Sequence, residues 1–181
     1  MPSMIFCHVS IATVDDYVTR REPHRRAHIE RLLALRGGGV VIGGGPAPDG
    51  RSVDIFYRAP SEADVVALVE EDPYQKGGAW RSYRCVAFSQ FLDPWRSPPP
   101  VLDGSRVVTI VEGETPDVDM ATFALIEARG AGRMAFGGFF PGGQTLALMC
   151  SPEATEAVGW LAETGFWKAD RLTSRPLLHV L

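Results

Sequence analysis

The chain has 181 residues, of which 45% are apolar and 22% charged, with a formal net charge of −4 and a pI near 5.6. Such totals describe an ordinary globular protein of one domain or two small ones, and they argue against nucleic acid as a partner. No apolar run approaches the length of a membrane span and no charged region precedes the first one, so neither a membrane nor secretion is expected and the location reads as cytoplasmic. Cys7, Cys85 and Cys150 are far apart, lack metal-type spacing and each fall in an apolar run, as buried free thiols do.

Met4 to Ile11 reads as a strand, with Ile5, Cys7 and Val9 on one face and Phe6, His8 and Ser10 on the other. Asp15 to Arg21 suits a short helical turn. The stretch from Glu22 to Arg36 then predicts a helix, with Pro23 in its first turn and Ile29, Leu32, Leu33 and Leu35 at helical spacing. Gly37-Gly-Gly39 supplies the stop. His28 falls on or beside the apolar stripe, four residues before Leu32, and Arg25 lies one turn earlier. Arg20, Arg21, Arg25 and Arg26 form a basic cluster that suits a small anionic ligand.

Val40-Val-Ile42 is a short strand, followed by Gly43-Gly-Gly-Pro46. Gly37, Gly39 and Gly43 come near a dinucleotide fingerprint, but that motif needs a strand before it and a helix after it, and the order here is reversed. A third strand covers Val53 to Arg58. Ser61-Glu-Ala-Asp64 is a capping box opening a helix with Val65, Leu68 and Val69 on one face, which runs through Glu70-Glu-Asp72 to Pro73. Trp80 to Phe88 is the fourth strand. The order is β-α-β-β-α-β, the ferredoxin-like pattern of an α+β fold.

Asp93 to Gly104 is proline-rich and reads as a linker between a first unit over 1–92 and a second over 105–181. The second repeats the pattern, with strands at Val107–Glu112, Met134–Phe136, Gln144–Cys150 and Leu172–Leu181 and helices at Asp119–Arg129 and Ser151–Glu163. Arg36-Gly-Gly-Gly aligns with Arg129-Gly-Ala-Gly, and Asp72-Pro-Tyr-Gln-Lys76 with Thr164-Gly-Phe-Trp-Lys168. Each unit carries helices on one sheet face only. Two in one chain can cover each other's bare faces, as an internal pseudo-dimer.

Asp72 continues the stripe of its helix and closes it at the negative end of the macrodipole, behind two further acids. A carboxylate there needs a cation or a donor to meet it. His28 and Asp72 lie on the two helices of one unit, which pack side by side in this topology. Contact between them is therefore expected.

Residues 25–88 resemble the YCII-related family of dimeric α/β-barrel proteins. The resemblance rests on Arg25-x-x-His28, the apolar helix ending in glycine, Gly45-Pro46 after the second strand, and Asp72-Pro73-Tyr74. It implies a fold of two tandem ferredoxin-like units forming an internal pseudo-dimeric α/β barrel, as a monomer or a homodimer. It also implies an active-site pair of His28 and Asp72, acid–base chemistry of the lyase or isomerase kind on a small anionic or enolisable molecule, and no bound organic cofactor. In that scheme Asp72 fixes the imidazole tautomer and the other ring nitrogen takes a proton. Arg25, or less readily Arg26, holds an anionic group, Gly45, Pro46 and Tyr74 line the site, and His8 serves as a second acid or a polar liner. The second half departs from the pattern: Ala121 stands where His28 would be, Thr164-Gly165 replaces Asp72-Pro73, and Phe139-Phe140 replaces Gly45-Pro46. It reads as a wall, with Phe139, Phe140, Phe166 and Trp167 as core or pocket aromatics. Two other readings compete: a binding module without turnover, and a metal site built from His24 and His28 at i, i+4 with Asp72 or His8.

Overall fold

The computed structural model describes residues 3–92 and 99–181. Of the linker read at 93–104, residues 93–98 lie outside the described residues. The chain divides into two compact units: Met1–Ala87 with Pro98–Ser105 and Leu178–Leu181, and Phe88–Ser97 with Arg106–Leu177. The last four residues thus belong with the first unit rather than with the repeat that precedes them.

In chain order the first unit holds β1 (Ile5–Thr13), α1 (Tyr17–Arg21), a 3-10 turn (Glu22–His24), α2 (Arg25–Gly37), β2 (Val41–Pro46), β3 (Ser52–Ala59), α3 (Glu62–Glu70), α4 (Pro73–Lys76) and the start of β4 (Trp80–Leu92). Its strands run β2-β3-β1-β4. β1 and β2 both pair antiparallel with β3. This is the ferredoxin-like order. Alternation decides the faces: Cys7, Val9 and Ile11 of β1 and Val53, Ile55 and Tyr57 of β3 meet Leu32 of α2 and Val65 and Val69 of α3 in one core. The intervening His8, Asp54 and Phe56 occupy the other face and are also buried.

The second unit holds β5 (Val107–Glu114), α5 (Val118–Gly130), β6 (Met134–Phe139), β7 (Gln144–Met149), α6 (Ala154–Ala162), a 3-10 turn (Ala169–Arg171) and β8 (Thr173–Leu178), ordered β6-β7-β5-β8. The end of β4 pairs with β6 through Ser89 and Phe139. Its core gathers Ala121, Leu125, Met134, Ala147, Leu161 and Trp167. α2 and α5 have the same length and both end in glycine. The β-bulges after Val41 and Met134 also correspond. The repeat is structural as well as sequential.

Three expectations need correction. The helix after Pro23 begins at Arg25, because residues 22–24 form a tighter turn. The helix expected to run to Asp72 ends at Glu70, and Pro73 opens a separate four-residue helix. Of the three thiols only Cys7 is fully buried, and Cys150, just past the end of β7, is exposed. Among the described residues no helix is long and apolar enough to cross a membrane.

Candidate functional site

Asp72 is the N-cap of α4, with extended backbone, and its Oδ1 accepts from Tyr74 N–H at 2.9 Å. Pro73 takes the first helical position, where a missing N–H costs nothing. The carboxyl group therefore sits at the positive end of a short helix, not at the negative end of a long one. The same Oδ1 accepts from His28 Nδ1 at 2.7 Å. Its other oxygen faces Arg31, whose Nη1 lies 3.5 Å away as an ion pair. Arg31 also donates to the Leu68 carbonyl at 2.9 Å, which anchors the guanidinium across the end of α3. A wholly buried acid thus has a cation and two donors.

The imidazole is clamped by rings as well. Tyr74 stacks on it with centroids 3.7 Å apart and planes 11° off parallel, and Trp80 meets it edge-on at 5.8 Å. Burial pushes the Tyr74 phenol up to about 12, so it remains a neutral donor at ordinary pH. Since a carboxylate can only accept, Nδ1 carries the proton in this pair and Nε2 is left with a lone pair. Among the described residues Nε2 has no hydrogen-bond partner.

His28 borders a cavity of about 270 Å³. Ile29 and Leu32 of α2 and Val53 and Ile55 of β3 give it apolar walls, and Tyr17, Arg21 and Arg25 stand at its polar side. Gly45, Pro46, Leu178 and Val180 complete it. Val180 and Leu181 both donate to the Gly44 carbonyl, at 3.0 and 3.1 Å, and Val101 donates to the Val180 carbonyl at 2.9 Å. A Cβ on Gly45 would lie 3.0 Å from the Leu178 carbonyl carbon, closer still to its oxygen, and 3.2 Å from Val180 N. Gly45 is thus needed for the close approach of the chain's last four residues.

Of the residues read from the sequence, His28, Asp72, Arg25, Gly45, Pro46 and Tyr74 come together around this cavity. His8 does not. It points to the opposite sheet face, where its Nε2 lies 2.6 Å from Asp54 Oδ1 and its ring stacks on Phe56. Strand alternation had placed His8 on the face away from Cys7 and Val9, and that face carries no helix of this unit. Arg26 is exposed and paired with Glu30 at 2.8 Å, which leaves Arg25 the nearer cation. His24 packs its ring against Gly77, where a Cβ would meet the ring's Cε1 at 3.0 Å. Among the described residues no three His, Cys, Asp or Glu side chains converge as metal ligands.

Arg31, Tyr17 and Trp80 escaped the sequence reading, and Arg21 entered it only as one of a basic cluster. Arg31 had a signal: it follows His28 by three residues, so both share a helix face. Tyr17 and Arg21 are at i, i+4 on a helix too short to show a period.

The second unit keeps the frame without the acid and base. The offset that pairs α3 with α6 puts Thr164 at the Asp72 position, and the offset one residue longer, which pairs Gly37 with Gly130, puts Ala121 at that of His28. Thr164 Oγ1 still accepts from Phe166 N–H, at 3.4 Å, as Asp72 accepts from Tyr74. The longer offset also sets Gly138-Phe139, not Phe139-Phe140, opposite Gly45-Pro46, because β2 and β6 align without a gap. Phe139 and Trp167 are buried in this unit's own core, and Trp167 Nε1 donates to Thr145 at 2.9 Å.

Comparison with known proteins bears on both the fold and the first unit. No curated protein matches the chain. A candidate monooxygenase from Fusobacterium nucleatum subsp. nucleatum ATCC 25586 is similar with a TM-score of 0.63 at 7% identity, covering 98% of this chain and 93% of that one. Another, from Lactobacillus acidophilus NCFM, gives 0.59 at 11% identity, covering 99% and 95%. At these identities the likeness establishes the fold alone: α+β, with ferredoxin-like units in tandem, of the dimeric α/β-barrel class. Residues 1–89 match the YCII-related domain. Those residues carry His28, Asp72, Tyr74 and most of the cavity wall, and over them the chain is similar to the YCII-related domain.

Proposed function

We infer that the first unit is a cofactor-independent acid–base site of the lyase or isomerase kind, acting on a small enolisable molecule in the cavity beside His28. The observation that carries this reading is the 2.7 Å bond from His28 Nδ1 to the buried Asp72, which leaves Nε2 as the ring's free base. A C–H bond next to a carbonyl would break, its proton passing to Nε2 and its electron pair forming an enolate. Asp72, accepting from Nδ1, stabilises the imidazolium so produced, and the Arg25 guanidinium offers charge to the enolate oxygen. Return of the proton to another carbon completes an isomerisation. Loss of a leaving group from the β-carbon, which then departs with the proton, completes an elimination. Arg31 is a positioning residue: it balances the second carboxylate oxygen and keeps Asp72 aimed at the ring.

A non-catalytic binding module is the second reading. The bonds from Tyr74 N–H and Arg31 to Asp72 would hold His28 equally well for a ligand that never reacts.

The experiment is exchange of carbon-bound hydrogen for deuterium, followed by NMR on a panel of enolisable monocarboxylates and lactones in D2O. Exchange by the native protein that His28→Gln abolishes is the expected result. Binding of panel members without exchange would leave the binding module as the surviving reading.

A further inference from the structure

The four arginines of the α1–α2 segment divide into two classes. Arg20 and Arg26 face solvent, and each is spent on an acid of its own helix, Asp16 and Glu30, both at 2.8 Å. Arg21 and Arg25 line the cavity, and among the described residues neither has a carboxylate partner. Arg21 is the more constrained. Its guanidinium lies 4.9 Å from the centroid of the Tyr17 ring, and its Nε is buried with no hydrogen-bond partner. A buried guanidinium N–H at the wall of a largely apolar cavity is costly unless something accepts from it. The ligand is the natural acceptor.

Charge at the wall narrows the class further. Two arginines face one carboxylate, Asp103, which lines the cavity and is held in a turn by accepting from Ser105 N–H at 2.9 Å. The negative charge of Asp72 beside the neutral His28 is balanced by Arg31. Counted over side chains, the lining therefore carries two cations and one carboxylate, which suits a monoanion. Volume sets the body: a cavity of roughly 150 Å³ holds one benzene ring, so about 270 Å³ leaves room for one ring and an acid group.

We propose that Arg21, braced on the Tyr17 ring and assisted by Arg25, is the anion-binding residue of this cavity, and that the ligand class is a small monocarboxylate with a single apolar ring or an equivalent branched body. The acid group bonds to the Arg21 fork, the apolar body lies against Ile29, Val53 and Ile55, and the far end reaches His28. This rests on the reading of the same cavity as a ligand site but does not require that the ligand react.

The test uses the whole chain and three probes, benzoate, benzamide and phthalate, with affinities measured by calorimetry and by NMR shifts of the Tyr17 and Tyr74 rings. Benzoate is expected to bind at millimolar concentration or better, benzamide at least tenfold more weakly, and phthalate no better than benzoate. Arg21→Met should cost benzoate about ten- to a hundredfold, the range for a charge-assisted bond, and leave benzamide unchanged, while Arg21→Lys recovers part of the loss. Unchanged far-UV circular dichroism in Arg21→Met shows that the fold is kept, and Arg21→Lys answers the question if it is not. Equal affinity for benzoate and benzamide, no benzoate binding, or an Arg21→Met protein that binds benzoate normally overturns the proposal. Benzoate binding that depends on Arg21 but survives His28→Gln, with no deuterium exchange in any panel member, leaves this inference standing and removes the proton-transfer reading alone.

Discussion

Replacing Gly45 by alanine sets two effects of opposite sign against each other. In an extended strand alanine is ordinarily the better residue by about 0.5–1 kcal/mol, because glycine loses more backbone freedom on folding. Here the added Cβ meets backbone, 3.0 Å from the Leu178 carbonyl carbon and 3.2 Å from Val180 N, so no side chain can turn aside to make room. The segment Leu178–Leu181 must move off. It gives up two hydrogen bonds to the Gly44 carbonyl and one from Val101, each about 0.5–1.5 kcal/mol net. It also exposes the buried Leu181 side chain, which is about 1.5–3 kcal/mol. Partial relaxation keeps some of this, so a net destabilisation of about 2–5 kcal/mol is expected. Urea unfolding followed by tryptophan fluorescence measures it. The decisive control is a chain lacking residues 178–181, in which Gly45→Ala should be neutral or mildly stabilising. An equal penalty in both backgrounds, or a gain in the full chain, would refute the reasoning, since the clash would then not be with that segment.

Asp72→Thr copies what the second unit does at Thr164 and should keep the α4 cap while losing the bond to His28; expected is modest destabilisation, about 1–3 kcal/mol, with complete loss of any deuterium exchange. Retained exchange in a folded Asp72→Thr protein would show that His28 needs no carboxylate. At high pH the buried phenols work against the fold: burial raises Tyr57 and holds Tyr74 near 12, so the folded chain keeps protons that the unfolded chain begins to release near pH 10. Stability should therefore fall as pH rises from about 10 to 12. The measurement is a series of thermal melts, and a melting temperature constant over that range would contradict the burial assigned to these rings.

Local pattern carried much of this protein. Alternation in β1 sorted Cys7, Val9 and Ile11 from His8, and the spacing of Leu32 and Leu35 put His28 on the inner face of α2. The repeated glycine at the ends of α2 and α5 revealed two units and the loss of His28 and Asp72 from the second. The contact between His28 and Asp72 was expected from two helices lying side by side, but Asp72 makes it as the N-cap of α4 and not from the face of α3. α4 itself was not legible, since four residues cannot display a helical period and Asp72 reads as the end of α3 until its cap to Tyr74 is seen. Nor was the partner of His8: alternation gives the face of a side chain, but only strand pairing across β1 and β3 sets Asp54 beside it. By itself, then, the sequence determined the order of the elements, the repeat and which side chains point inward, because those depend on spacing along the chain. Only the tertiary structure decided that Arg31 balances Asp72, that Arg21 lines the cavity without a carboxylate partner, and that Gly45 makes room for the last four residues, because each depends on which distant segment packing brings alongside.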